Sequence, residues 1–308
     1  MKKTITIIFI SAILFSLSFI SSCATSRVAQ EQQDEETPSR GITYNPGSEW
    51  KLAWSDEFNG DELDMNIWTR QVLRNPFNNE WAQYTGEPET AYLQDGYMVL
   101  KAEWTGAIHA DNNYTSARVI SNPGGNDGTS SAEGKTFKYG KIAARIQLPY
   151  GKGIWPAFWM LGNNISETGG RVNWPSCGEI DILESGSKYD NDGAYGHKTI
   201  HGTIHYDTTV ENTAGNWDYI GSKTTSSERY SEKFHVFEIE WTERALIWRL
   251  DGEKFHQIDI SDVRFNEFRK PFYVLFNIAV GGDFTYTPDS STPFPQYMYV
   301  DWIRHYTK

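Results

Sequence analysis

The chain is read as an all-β sandwich on three observations. From Trp50 onward, short runs of alternating apolar and polar residues, rich in Val, Ile, Tyr, Phe and Trp, recur between Gly, Pro, Asn and Asp turn signals. Only Ile260–Arg269 reads as a helix, and it would be short. Aromatic residues make up 15% of the 308 residues, with 12 Trp, more than a core alone requires. One all-β domain can reach this size. No internal repeat, phosphate loop or serine elbow interrupts the pattern.

Residues 1–22 read as an export segment. Lys2 and Lys3 precede an apolar run from Ile5 to Ile20 that ends in Ser21-Ser22-Cys23. A basic start, a short apolar stretch and a small-residue exit mark a secretory signal. The small residues before Cys23 resemble a bacterial lipobox, which implies cleavage there and lipidation of Cys23. The chain is then expected to be exported and lipid-anchored to a bacterial membrane, the outer one on its periplasmic or surface side. Residues 23–48 are polar and acidic, with Gln30–Glu36 entirely Gln, Glu or Asp, and read as a disordered tether. Residues 49–308 form the folded domain.

Within that domain Lys51–Gly60 reads as a strand closing in a turn, and Phe77–Thr85 as a loop mixing amides with aromatics. Tyr97–Glu103 and Tyr114–Val119 alternate as strands, the second carrying Arg118, and 121–131 is a Gly/Asn/Ser-rich loop. Phe137–Pro149 is a long strand closed by Pro. In the next strand, ending at Gly162, the period of two puts Trp155 and Trp159 on one face; one of them is expected near a ligand and the other in the core. Thr199–Tyr206 carries His201 and His205, four apart and therefore on one face. Residues 207–230 are polar and Gly/Ser/Thr-rich and read as a loop or a loosely held edge. Phe234–Trp241, Ala245–Leu250, Pro271–Gly282 and Tyr299–Tyr306 complete the strands, with Asp251-Gly252 as a turn.

The chain is organised around Gly178-Glu179-Ile180-Asp181-Ile182-Leu183-Glu184-Ser185-Gly186. Alternation puts Glu179 and Asp181 on one face and, in a regular strand, Glu184 on the other. One extra residue at Ile182 or Leu183 restores the phase: a β-bulge, a device common beside active sites because it re-aims a side chain. Three aligned acids repel one another, so the arrangement implies chemistry or cation binding. Calcium is poorly served by a strand. Zinc at His201 and His205 lacks a third ligand at metal spacing.

Glu-Ile-Asp-Ile-Leu-Glu resembles the catalytic signature of family 16 glycoside hydrolases, in the bulged form of laminarinases, agarases and carrageenases. The resemblance runs from about Trp50 to Tyr306 and implies a β-jelly-roll sandwich of two antiparallel sheets with a concave substrate cleft. It implies Glu179 as nucleophile, Glu184 as general acid/base and Asp181 as auxiliary acid, with no cofactor for catalysis. It implies sugar contacts at Trp174, Asn79, Trp81, Arg118, Trp155 and Trp159, and places His205 on the leaving-group side. It also implies a structural Ca2+ held by Glu57, the Gly96 carbonyl and Asp301. The expected substrate is a β-1,3-glucan of laminarin type, with mixed 1,3-1,4 glucan as an extension. An agarase-type galactan hydrolase and a non-catalytic glucan-binding lipoprotein are the alternatives. Surplus Trp and Tyr suit the flat faces of sugars.

The formal charge of −12 speaks against nucleic acid and anionic membrane surfaces, and disfavours a sulfated polysaccharide. Membrane contact is expected only through the lipid, and the domain is expected to be a monomer. Of the two cysteines, Cys23 is assigned to the lipid and Cys177 to packing.

Overall fold

The computed structural model describes residues 43–121, 134–208 and 217–308. The export segment, Cys23 and most of the tether lie outside these residues, as does most of the 121–131 loop.

The domain is two sheets packed face to face. One carries, in spatial order, Trp217–Thr225, Thr199–Asp207, Glu179–Glu184, Ile154–Gly162, Phe272–Val280, Arg118–Ile120 and Thr69–Arg70, all antiparallel neighbours. The facing sheet is centred on Gly140–Gln147 between His235–Trp241 and Gln296–Thr307. Lys51–Asp56 pairs with Gln296–Thr307, which ties the start of the domain to its end.

Alternation explains which side each strand buries. Ile180, Leu183, Phe158, Phe276, Ile200 and Ile204 of the first sheet meet Ile142, Ile146, Phe237, Ile239, Val300 and Ile303 of the second in one core. Phe158 and Phe276 are cross-strand partners and stack with centroids 4.7 Å apart and planes 4° apart. Phe272–Val280 is buried along its whole length. Its other face is covered by a smaller cluster of Ile120, Leu161, Ile165, Cys177, Tyr273 and Leu275. Ile165 and Cys177 come from the segment between Gly162 and Glu179, so that segment roofs the end of the sheet beside Glu179.

One expectation is corrected and one is narrowed. The helix is a 3-10 turn at Val263–Arg269, capped by the Asp262 side chain accepting from the Arg264 amide at 3.0 Å and held down by buried Phe265 and Phe268. Of the two readings of 207–230, the edge is the one found: Trp217–Thr225 is the outermost strand of its sheet, paired over its full length with Thr199–Asp207. An outermost strand buries little on either face, so its apolar signal is weak.

Phe158 stacks at the centre of the core, and removing its ring leaves a void that neighbours fill only in part. Phe158→Ala is therefore expected to cost about 3–5 kcal/mol, read as a lower denaturant midpoint at unchanged slope; a loss below 1 kcal/mol would contradict this packing.

Candidate active site

The acid strand, Glu179–Glu184, is bulged at Ile182. Across the interface with Ile154–Gly162, Trp159 faces Asp181, Phe158 faces Leu183 and Ala157 faces Glu184, leaving Ile182 without a partner. Ile180, Ile182 and Leu183 all point into the core. Glu179, Asp181 and Glu184 consequently share the opposite face. The histidine strand, Thr199–Asp207, sets His205 against Glu179, Thr203 against Asp181 and His201 against Glu184.

A bulge leaves backbone groups without ladder partners. Here the Asp181 carbonyl accepts the indole Nε1–H of Trp248, 2.7 Å away, from the facing sheet. The indole reaches it because residue 202 is glycine: a Cβ there would lie 2.6 Å from Trp248 Cδ1. Gly186 ends the strand at φ +94°, and a Cβ there would lie 2.1 Å from the Ile154 carbonyl oxygen, so only glycine fits.

Each glutamate meets an indole. Trp174 Nε1 donates to Glu179 Oε2 at 2.8 Å, and Trp155 Nε1 to Glu184 Oε1 at 3.0 Å. His205 Nε2 lies 3.3 Å from Asp181 Oδ2 and 3.7 Å from Glu179 Oε1. Burial, then the neighbouring Asp181, pushes Glu184 up to about 7. Burial, then Glu179, pushes Asp181 up to about 7. Burial also raises Glu179, opposed by His205 and by the Trp174 hydrogen bond. Burial works against a charged His205, yet its hydrogen bond to Asp181 and the charge of Glu179 raise it to about 9. This sets a glutamate raised to about 7 at one end of the row and, at the other, a glutamate whose ionised form His205 and the Trp174 indole favour. Such a division separates a proton donor from a nucleophile.

Comparison with known proteins agrees with this geometry. Residues 78–304 match the model of the glycosyl hydrolases family 16. The chain belongs to that family. It is 34% identical over 248 residues to a glucan endo-1,3-beta-glucosidase of Cryptopygus antarcticus, covering 76% of this chain and 82% of that one. It is 30% identical over 301 residues to glucan endo-1,3-beta-glucosidase A1 of Niallia circulans, covering 89% of this chain but only 40% of the length of that relative. The catalytic domain of an endo-1,3-beta-glucanase (laminarinase) from Thermotoga petrophila RKU-1 superposes with a TM-score of 0.66 at 36% identity, covering 84% of this chain and 98% of that domain. The sandwich is thus the jelly roll of family 16.

The remaining expected site residues divide sharply. Trp174 is about half exposed beside Glu179. Trp155 and Trp159 both lie on the site face, where one was expected in the core. Trp159 Nε1 donates to Asn277 Oδ1 at 2.7 Å, and the Arg118 guanidinium lies over its ring at 4.9 Å. Arg118 is not open to sugar hydroxyls: it is buried and paired with Glu167 at 2.8 Å, on a 3-10 turn the sequence reading did not foresee. Trp81 packs its ring against Gly281 and Tyr114. Asn79 is exposed and donates its side-chain amide to Asp283 at 3.0 Å. His205 stands by the Glu179 end, and the histidine across from Glu184 is His201. Trp217 and Tyr219, on the outermost strand, are not among the expected site residues. Both are half exposed, with the Trp217 ring 5.6 Å from Trp174 and the Tyr219 ring 6.0 Å from His205. Their alternation on one face was the signal that could have found them.

Glu57 and Asp301 share a cavity with Asn59. Arg304 holds Glu57 through both oxygens, at 2.8 and 2.7 Å, and Arg145 holds Asp301 at 2.7 Å. Calcium takes six to eight oxygens, and here the two carboxylates already answer guanidinium groups, so the residues as arranged do not form that site. Among the described residues, the His, Cys, Asp and Glu donors close enough together for an ion are Glu179, Asp181 and His205, within 4.8 Å of one another. That trio is the acid cluster itself.

Two outcomes are expected. Trp248→Phe keeps the ring but orphans the Asp181 carbonyl, costing about 1–3 kcal/mol and lowering kcat; unchanged kcat would show that the bulge does not need its indole. The folded pKa of Glu184 lies above its unfolded value, so stability attached to this group is present at low pH and is lost as pH rises toward 7. Glu184→Gln should therefore raise stability by roughly 2 kcal/mol at pH 8 and by little at pH 4. A thermal melt showing the reverse order would exclude a raised Glu184.

Proposed function

We propose that this protein is an exported, lipid-anchored, retaining endo-glycoside hydrolase acting as a monomer on β-1,3-glucan of laminarin type, with mixed 1,3-1,4 glucan also accepted. The observation that carries the reading is the bulge at Ile182, which brings Glu179, Asp181 and Glu184 to one open face with an indole N–H on each glutamate. Endo-1,3-β-glucanases among the relatives support the linkage, and the aromatic rings of Trp174, Trp217 and Tyr219 around the acids suit stacking on pyranose faces. The net charge of −12 suits a neutral glucan. The Ser21-Ser22-Cys23 sequence supports the anchor.

In this mechanism Glu184, protonated, gives its proton to the departing sugar oxygen as Glu179 attacks the anomeric carbon from the opposite face. The C–O bond breaks and a glycosyl ester forms on Glu179. Glu184, now a carboxylate, takes a proton from water, which attacks the same carbon, releases Glu179 and leaves the configuration retained. Asp181 shares its proton with Glu179 in the free site and, with His205, balances the charge that Glu179 gains and loses. Enzymes of family 16 need no catalytic cofactor, and no step here passes through a metal. An ion at Glu57, Gly96 and Asp301 would be structural and would have to displace Arg304 and Arg145.

Reducing-end release from laminarin, lichenan and agarose tests the reading. Laminarin should be cut fastest, with a fall in kcat/KM above about pH 7 as Glu184 loses its proton. Glu179→Gln should lose on the order of 10^4-fold in kcat while still binding. Agarose cut in preference to laminarin would replace the substrate; equal activity of wild type and Glu179→Gln would remove the enzyme.

A further inference from the structure

Between the acid strand and the histidine strand, residues 185–198 form a loop with two buried or half-buried aspartates doing different things. Asp192 secures the loop to itself: its Oδ1 accepts from the amides of Ala194 and Gly196, and its Oδ2 from the Lys198 amide and the Thr199 hydroxyl, all at 3.0–3.1 Å. Asp190 turns the other way. Its side chain is 1% exposed, and its carboxylate meets His201 Nε2 at 2.7 Å and Lys223 Nζ at 2.8 Å. Both partners belong to the site sheet, where they face each other across adjacent strands. Burying a carboxylate is costly, and the loop is already held by Asp192, so stapling the loop does not account for Asp190.

What its partner touches does. His201 is the residue across from Glu184. Its ring meets Phe284 edge-on, centroids 5.4 Å apart at 81°. Phe284 in turn stacks on Trp155 at 4.9 Å and 28°, and Trp155 Nε1 donates to Glu184. Phe284 itself is tied back to the same loop, its carbonyl accepting from the Lys188 amide while Thr285 donates to the Gly186 carbonyl. Glu184 is therefore bracketed by His201 on one side and Trp155 on the other, both braced on Phe284, and the outer end of the bracket is Asp190. Burial opposes ionisation of Asp190, but His201 and Lys223 hold its carboxyl below the ordinary range, so it is charged in use.

We propose that Asp190 is a positioning residue for the proton-donating glutamate: by holding His201 Nε2 it fixes the imidazole against Phe284, and so fixes the Trp155 indole on Glu184. This rests on the reading of Glu184 as general acid/base. Groups that hold a catalytic side chain in its productive geometry act on turnover more than on binding.

A double-mutant cycle tests it, because residues acting through one another do not add. With the full chain on laminarin, Asp190→Ala should lower kcat about tenfold with KM within about twofold. His201→Ala should do the same, and the double variant should lose no more than either alone. Asp190→Asn keeps an acceptor for Nε2 and should lose less than Asp190→Ala; it carries the same cycle if Asp190→Ala does not fold. Losses that multiply, a change confined to KM, or no loss at all on an active wild type would overturn the role of Asp190 and leave the hydrolase reading standing. A wild type inert on all three polysaccharides would overturn both.

Discussion

The site depends on one hydrogen bond that crosses between the two layers, from the Trp248 indole to the Asp181 carbonyl. A six-residue strand with acids at its first, third and sixth positions cannot show all three on one face without an irregularity. The irregularity leaves a carbonyl that the neighbouring strands do not satisfy, in a core where an unpaired polar group is expensive. Trp248 answers it and, with its large ring, fills the space under the bulge. Gly202 is the clearance for that ring. The chemistry at the surface thus rests on a donor in the opposite sheet and on a missing side chain in the adjacent strand, neither of which faces the open side.

The acid row is a second constraint, and it works against the fold. Burial raises all three carboxyl groups, and their mutual repulsion adds to it. His205 is the main local compensation: its imidazole sits between Glu179 and Asp181 and favours their charged forms. Glu184 lies furthest from that compensation along the strand, because His205 pairs with Glu179 and the bulge carries Glu184 further on. Burial with the neighbouring Asp181 raises Glu184 to about 7, as burial with Glu179 raises Asp181. Stability given up here is supplied by the aromatic layer beneath, where Phe158, Phe276 and Trp248 are all fully buried.

Much of this was legible in the residues. The phase error between Glu179 and Glu184 requires a bulge, glycines flank it, and two histidines four apart must share a face, all of which the structure bears out. The long central strands were equally plain, since β-branched and aromatic runs bounded by Gly and Pro leave few readings. What failed was less local. Arg118 reads equally as a sugar contact or as half of a salt bridge, because its partner, Glu167, arrives from a turn 49 residues away with no periodic signature. Glu57 and Asp301 carry two readings in the sequence, ion ligands or else a turn cap and the partner of a base, and only the fold brings Arg304 to Glu57 and Arg145 to Asp301. The strand bearing Trp217 and Tyr219 is legible only as a loop or a loose edge, because Ile220 alone of its residues packs on the core while its two aromatic rings stand half exposed on the site face. Asp190 gives no signal at all: an Asp among Tyr, Asn, Gly and a second Asp looks like a turn former, and its task appears only when the histidine strand folds against it.

Cys177 offers a practical consequence. It is fully buried in the cluster that roofs the sheet, two residues before Glu179, and burial together with that carboxylate pushes the thiol pKa well above its ordinary value, so the thiol is less acidic than usual. A thiol reagent cannot reach it while the roof is closed, and it would react slowly even if water could. Alkylation of Cys177 in the folded domain therefore clocks the lifting of the segment behind the nucleophile. The chain carries its own reporter of local breathing at this spot, usable without labels or engineered probes.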